Sequence, residues 1–425
     1  MLQVTDPLPK RLLFTAAFVL PACLLLIPEL GDWIFALLAA AGVVCFIQTA
    51  RHPAELRPIV LVSLLTLGFF AAALVSAHGA FDDAEALYRV GKSQYFLAAP
   101  FIGLLFLRLR LDARLLFASV RFAALLVFLA ATVQYLMSGG RAGGAVNPLV
   151  FGCLALLLGF FSLVRYPMEA GGTRLVSLLA FCAGCGAAVL SQSRGVWIAS
   201  LILVPVMFLY WTHAGVLSKR VAHQVGAVFA LLVLFAGALP FVQQRAMDGL
   251  DEYRACVLTH ECRTSVGMRL QMWHGGWRAA LQRPLLGWGL HRTQQAAVAE
   301  LDDVIARRAI LGYTHLHNEY LNTLVGKGMV GLFSLLLLLG VPLLVCLRSG
   351  VRHPDQLIVA GIGLLLCTGY ALAGLSNLAF GHETMNAFFV YFISLVLPRA
   401  QTPLWTLEVD SVGEPRSDIL RAPSQ

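Results

Sequence analysis

The chain has 425 residues, 59% of them hydrophobic and 13% charged, with a mean hydropathy of +0.77 and a formal net charge of +8. Soluble domains carry about 25% charged residues, so this composition excludes a soluble globular protein. In so apolar a chain the positive excess reads as a membrane-topology signal, and no nucleic-acid partner is expected.

Twelve apolar windows appear in order, at about 11–28, 31–49, 57–77, 94–107, 114–137, 147–165, 174–190, 194–212, 221–241, 329–347, 356–376 and 384–398. Lys10-Arg11 and the run behind it resemble a signal peptide, but a second apolar run follows at once, so they read as a first span. The expected fold is an all-α polytopic membrane protein with about twelve transmembrane helices and one large outer loop region containing helices. Residues 1–241 hold nine spans, 242–328 the loop, 329–399 three spans, and 400–425 a polar tail expected to be disordered.

Lys and Arg in the short loops cluster on the side of the N-terminus. This puts both termini in the cytoplasm and the long interval outside. Four short-loop cations break the pattern: Arg89, Lys92, Arg141 and Arg194. Asp82, Asp83 and Glu85 offer Arg89 and Lys92 an ordinary salt bridge. Arg194 lies in Ser191-Gln-Ser-Arg-Gly-Val-Trp197, with no acid within twenty residues. Its planar fork suits phosphate oxygens, and it is expected to need an anion.

Within the long interval, Cys256 and Cys262 are six apart. In an oxidising compartment a disulfide is favoured over two free thiols, whereas Cys182-x-x-Cys185 lies in an apolar window and reads as packing. Residues 267–282 suit an amphipathic helix with Arg269 on its first turn, stopped by Pro284. A second amphipathic helix is expected at about 293–310, its Arg307-Arg308 covering a surface or meeting headgroups. The interval ends in Tyr313-Thr-His-Leu-His-Asn-Glu-Tyr320, so His315 and His317 stand at the water end of a membrane helix.

No metal motif holds up: His315-x-His317 is short of the i,i+3 or i,i+4 spacing that puts two ligands on one helix face. No glycine-rich phosphate loop appears, and no cofactor is called for. What remains is an imidazole able to take a proton near neutral pH and arginines able to hold a pyrophosphate. That pair suits attack by a hydroxyl on a carbon bearing a lipid pyrophosphate leaving group. For a lone histidine at a helix end, capping or packing is the plainer role, and His315 is left with it.

Three stretches resemble the O-antigen ligase and polymerase superfamily: Ser193-Arg-Gly-Val-Trp-Ile-Ala199; Arg269-x-x-x-Trp273 followed by Arg283-Pro-Leu-Leu-Gly-Trp-Gly289; and His317-Asn-Glu-Tyr-Leu321 followed by Gly328-Met-Val-Gly-Leu332. The resemblance implies a GT-C-like, inverting, metal-independent glycosyltransferase in a Gram-negative inner membrane, with its active site periplasmic. It implies His317 as catalytic base, and Arg194 and Arg269 on undecaprenyl pyrophosphate. Arg89 or Lys92 matches a further basic position, and His315, Asn318 and Arg141 are supporting candidates. The favoured reaction is the ligase's, from undecaprenyl-pyrophosphate-linked O-antigen to lipid A-core. The O-antigen polymerase is the runner-up, then a protein O-oligosaccharyltransferase. A transporter of an anionic solute is the non-enzyme alternative, and would need charges deep in the spans, where Arg121 is the main candidate.

Overall fold

A computed structural model describes residues 7–111, 113–259, 261–301, 307–308, 310–349 and 354–401. The polar tail predicted from residue 400 lies almost wholly outside them. The chain folds as α1 (Pro7–Leu26), α2 (Pro28–Thr49), α3 (Pro53–Val75), α4 (Ala84–Gly91), α5 (Gln94–Leu109), α6 (Ala113–Ser138), α7 (Pro148–Met168) and α8 (Gly171–Leu190). There follow α9 (Arg194–His213), α10 (Lys219–Ala238), α11 (Pro240–Thr259), α12 (Ser265–Gln282), α13 (Thr293–Ala299), α14 (Glu319–Arg348), α15 (Pro354–Gly374) and α16 (Glu383–Gln401). No strand occurs among the described residues.

Every apolar window in the sequence is a helix. Among the described residues, ten helices are long and apolar enough to cross a membrane, eleven if α4 and α5, bent by 43° at their junction, count as one broken span. The difference from twelve comes from α16. Met385 to Pro398 are all buried, and this helix packs against α1, α2, α3, α5, α7, α14 and α15. A helix enclosed on all sides by protein can carry polar groups if they are satisfied internally. Asn386 Nδ2 donates to the Lys92 carbonyl at 2.6 Å, Ser394 Oγ to that of Ala99 at 3.0 Å, and the Tyr391 hydroxyl to that of Ala17 at 2.9 Å. These bonds tie the centre to helices far away in sequence.

Close packing between helices in lipid relies on small residues, since lipid is as apolar as leucine. Gly159 of α7 meets Gly184 of α8 so closely that a Cβ on Gly184 would fall 2.6 Å from the Gly159 Cα. Arg121, the charge embedded in α6, forms an ion pair with Glu169, and its guanidinium lies 5.2 Å from the centre of the Phe117 ring. That pairing gives it a counter-charge within the fold.

The interval after α10 is helical rather than loose. Cys256 and Cys262 are bonded to each other at the end of α11, with Cα atoms 4.3 Å apart, while Cys182 and Cys185 are free thiols within α8. A small apolar core joins α12, α13 and the start of α14, built on Met268, Met272, Ala279, Ala297, Leu316 and Val325. The second amphipathic helix is shorter than its pattern suggested: α13 ends at Ala299, and residues 302–306 and 309 lie outside the described ones.

Candidate active site

The site is assembled around a break in α14. Gly328 has φ 63° and ψ −162°, which interrupts the helix between Lys327 and Met329. The loop 284–289 fills the break. Met329 N donates to the Pro284 carbonyl at 2.7 Å, Trp288 N to Val325 at 2.7 Å, and Gly289 N to Gly326 at 2.9 Å. A Cβ on Gly328 would lie 2.2 Å from the Leu285 carbonyl oxygen, so both backbone sign and space require glycine there. Two motifs far apart in sequence thus form one joint, which fixes the start of α14 against α12.

The same joint aims the histidines. Leu316, fully buried between them, accepts from Trp273 Nε1 at 2.9 Å through its carbonyl, and its N–H donates to Asn322 Oδ1 at 3.3 Å. Asn318 caps α14, its Oδ1 accepting from Leu321 N at 2.9 Å, and its Nδ2 donates to the Leu375 carbonyl at 3.3 Å. Asn318 is therefore occupied with structure. His317 has φ 50°, uncommon for a residue with a Cβ. The spacing of two, unsuited to a helix face, brings the rings together in this irregular backbone: the centres of His315 and His317 are 4.3 Å apart. His382, from the α15–α16 loop, lies 6.0 Å from His315, and Tyr313 meets His317 edge-on at 5.4 Å.

All three imidazoles are held neutral. Burial first, then Arg269 and His382, pushes His317 down to about 4. Burial, the other two histidines, Arg89 and Lys92 push His315 to about 3. Burial and Lys92 take His382 to about 4. No set of three metal-ligating side chains among the described residues is arranged to hold an ion.

Beyond His317 stands a cluster of guanidinium groups. Arg269, on the first turn of α12, is lowered from the usual arginine range chiefly by burial and then by Arg194. Arg141 is lowered by burial and by Arg245, Arg269 and Arg194. Arg141 Nε donates to the Ser191 carbonyl at 3.1 Å and its Nη2 to Ser193 Oγ at 3.0 Å. It thereby supports the turn that opens α9, where Gln192 has φ 52°. Arg194 follows as the first residue of α9, whose first turn no side chain caps; the helix end adds partial positive charge.

The expectation that Arg194 lacks an acid needs correction. Glu252 of α11 approaches it at 3.7 Å, and Nη1 donates to the Arg245 carbonyl at 3.4 Å. The acid comes from 58 positions away in sequence, outside any local window. Arg194 also lines an apolar groove of about 530 Å³ between α8, α9, α10 and α11, with Trp197, Leu201, Phe229, Leu232 and Val242.

Arg89 and Lys92 lie on the other flank of the histidines. Arg89 pairs with Glu85 at 2.6 Å and donates to the Thr314 carbonyl at 3.1 Å. Lys92 sits 4.8 Å over the Tyr88 ring, so the nearby acid serves the arginine. Both line a small cavity with His315, Glu319 and Lys327. His382, Glu252 and Arg245 had no signal in the sequence.

Comparison with known proteins bears on this region. A protein of Haemophilus influenzae described as uncharacterized is 21% identical over 246 residues, 56% of this chain and 61% of that protein's length. Residues 177–336 match the family model described as O-antigen ligase, and these residues include Arg194, Arg269 and the histidine loop. That match supports membership of the O-antigen ligase superfamily for this part of the chain.

Proposed function

We propose that the protein transfers O-antigen polysaccharide from undecaprenyl pyrophosphate to a sugar hydroxyl of lipid A-core, on the periplasmic face of a Gram-negative inner membrane, with both termini cytoplasmic. The observation that carries this reading is a continuous run of groups. His317, an imidazole lowered by burial, feels the charge of Arg269; Arg269 feels that of Arg194; and Arg194 lines an apolar groove. A lipid tail in that groove would present its diphosphate to the arginines and its first sugar to the imidazole.

In this reading His317 takes the proton of the acceptor hydroxyl as the oxygen attacks the anomeric carbon. The carbon–oxygen bond to the pyrophosphate breaks, and its electron pair leaves with the diphosphate. Arg194 and Arg269 stabilise the charge that builds there, and the product is inverted. No metal is needed in this scheme. Arg89 and Lys92 remain proposed diphosphate contacts, Lys92 the freer of the two because Glu85 already engages Arg89. The pairing of Arg121 with Glu169 removes the main support for a transporter.

The test is His317→Ala in a strain lacking the native gene, and in purified protein given lipid-linked donor and acceptor. General-base catalysis contributes about 10²–10⁴-fold, so transfer is expected to fall at least a hundredfold with donor binding kept. Unchanged transfer would end the proposal. The lipopolysaccharide of the deletion strain separates the two closest reactions. Bare core with accumulated lipid-linked polymer marks a ligase, and core bearing a single repeat marks a polymerase.

A further inference from the structure

A base that takes a proton must lose it before the next turnover, and bases of this kind are usually oriented by a carboxylate. Near His317 that partner is a second imidazole. Nδ1 of His317 is buried without a hydrogen-bond partner, which leaves Nε2 as the nitrogen a hydroxyl can reach. For Nε2 to accept a proton, the resting proton of the neutral ring must sit on Nδ1, and Nδ1–H then needs an acceptor.

His315 offers one. Its Nδ1 lies 3.0 Å from Thr314 Oγ1, while its Nε2 is buried and also without a partner. If Nδ1–H donates to Thr314, Nε2 carries a lone pair. Two rings with centres 4.3 Å apart thus hold two unmatched buried nitrogens. Imidazole torsions are broad, and ring rotation is the motion that would bring His317 Nδ1–H to His315 Nε2. Thr314 itself is exposed, which puts the far end of the chain at water.

The surroundings favour passing the proton on. His317 faces Arg269 from α12, His382 from the α15–α16 loop and Tyr313 from its own loop. His315 faces Arg89 and Lys92 from the α4–α5 region, and His382. Glu319 lines the same small cavity as His315, but its oxygens accept from Thr323 Oγ1 at 3.0 Å and from Phe380 N at 2.9 Å; the other charged groups facing the two rings are cations, which disfavour an imidazolium.

Resting on the transfer reaction proposed above, we propose that His315 is the positioning and relay residue of the base: it fixes the His317 tautomer and carries the proton out through Thr314. The acceptor hydroxyl gives its proton to His317 Nε2 as the glycosidic bond forms and the bond to pyrophosphate breaks. The Nδ1 proton of His317 then moves to His315 Nε2, and the Nδ1 proton of His315 leaves through Thr314 Oγ1 to water. Both rings end neutral in the opposite tautomer, and exchange with water at their accessible ends resets them after product release.

The experiment uses the full chain in nanodiscs, with lipid pyrophosphate-linked glycan and acceptor. His315→Ala is expected to lower kcat about a hundredfold with KM for both substrates within about threefold. Added imidazole is expected to restore at least about tenfold. His315→Gln, which can accept the hydrogen bond but not pass a proton, is expected to fall between. A kcat within threefold of the parent, or a loss confined to KM, overturns the relay. Should His315→Ala fail to fold by size-exclusion chromatography, the kcat of His315→Gln decides by the same threshold. Activity surviving in His317→Ala sinks the transfer reading itself, whereas an inactive His317→Ala beside fully active His315 variants sinks only the relay.

Discussion

Two sets of buried guanidinium groups in this protein differ in one respect. Arg121, in α6, has a carboxylate of its own in Glu169 and a ring beneath it in Phe117; the side chains are 12% and 6% exposed. Around Arg194, Arg141 feels the charges of Arg245, Arg269 and Arg194, Arg269 feels that of Arg194, and Glu252 approaches Arg194 at 3.7 Å. In the first place folding supplies the counter-charge. In the second, among the described residues, Glu252 is set against several cations, beside the groove that Arg194 lines. Charged groups drawn from water without full compensation are costly, so the second arrangement supports the anion site proposed above for the donor's diphosphate.

The comparison is broken most severely by removing a cation from the unbalanced set. Each charge-assisted hydrogen bond contributes about 1.5–3 kcal/mol, which is roughly 10- to 150-fold in binding. Arg269→Ala and Arg194→Ala are each expected to weaken binding of a lipid pyrophosphate by that factor, measured by titration in nanodiscs. Arg269→Lys should recover part of it, because an ammonium keeps the charge but loses the fork. Unchanged affinity in both alanine variants would mean the cluster is structural, like the Arg121 pair.

A smaller effect follows from acidity. His315, His317 and His382 are held at about 3 to 4 in the folded protein, below the ordinary value of about 6.5. A depressed histidine contributes stability that is fully present above the unfolded value and is lost as pH falls through the folded one. The melting temperature is therefore expected to fall between about pH 6.5 and 4, less steeply in His382→Ala. For catalysis, the acid limb of kcat/KM should lie near 4 in the free enzyme. The limb of kcat should lie higher, because a bound diphosphate favours the imidazolium. Coincident limbs would mean that the anion sits away from His317.

Removing the Glu252 carboxylate sharpens the contrast further. Glu252→Gln leaves the cations more unbalanced and is expected to tighten donor binding by about two- to fivefold at low salt, an effect that salt should diminish. Weaker binding would mean that Glu252 acts by holding Arg194 in position, which its acceptance of a bond from Val266 N at 2.8 Å would then explain.

The helices were legible because an apolar run of this length has one stable form in lipid, with its backbone bonds satisfied internally. The bend between α4 and α5 and the central placement of α16 were not, since both depend on which helices pack together. At the site, Arg194, Arg269 and His317 stood out as cations and an imidazole in turns and helix starts. Their company did not. Glu252 reaches Arg194 from α11, and His382 reaches the histidine pair from the loop before α16. Even His315 was misleading, because its spacing was judged against a helix while the backbone there is irregular.

The smallest expected effect on transfer tests the other half of the comparison. Glu169→Gln strips the balanced site of its anion, and a buried pair broken on one side costs about 3–5 kcal/mol. The variant should melt earlier and yield less folded protein. Ser177, whose hydroxyl donates to Glu169 Oε2 at 2.5 Å, would lose a charged acceptor as well. Yet transfer per folded molecule should stay within about twofold, because none of these groups faces the histidines or the arginine cluster. The double change Arg121→Met with Glu169→Leu should recover much of the lost stability, since an apolar pair of similar volume often replaces a buried ion pair without loss. If instead the folded variant lost transfer tenfold while the double change restored stability alone, Arg121 would belong to the working site. The distinction drawn between compensated and uncompensated arginines would then no longer separate scaffold from chemistry.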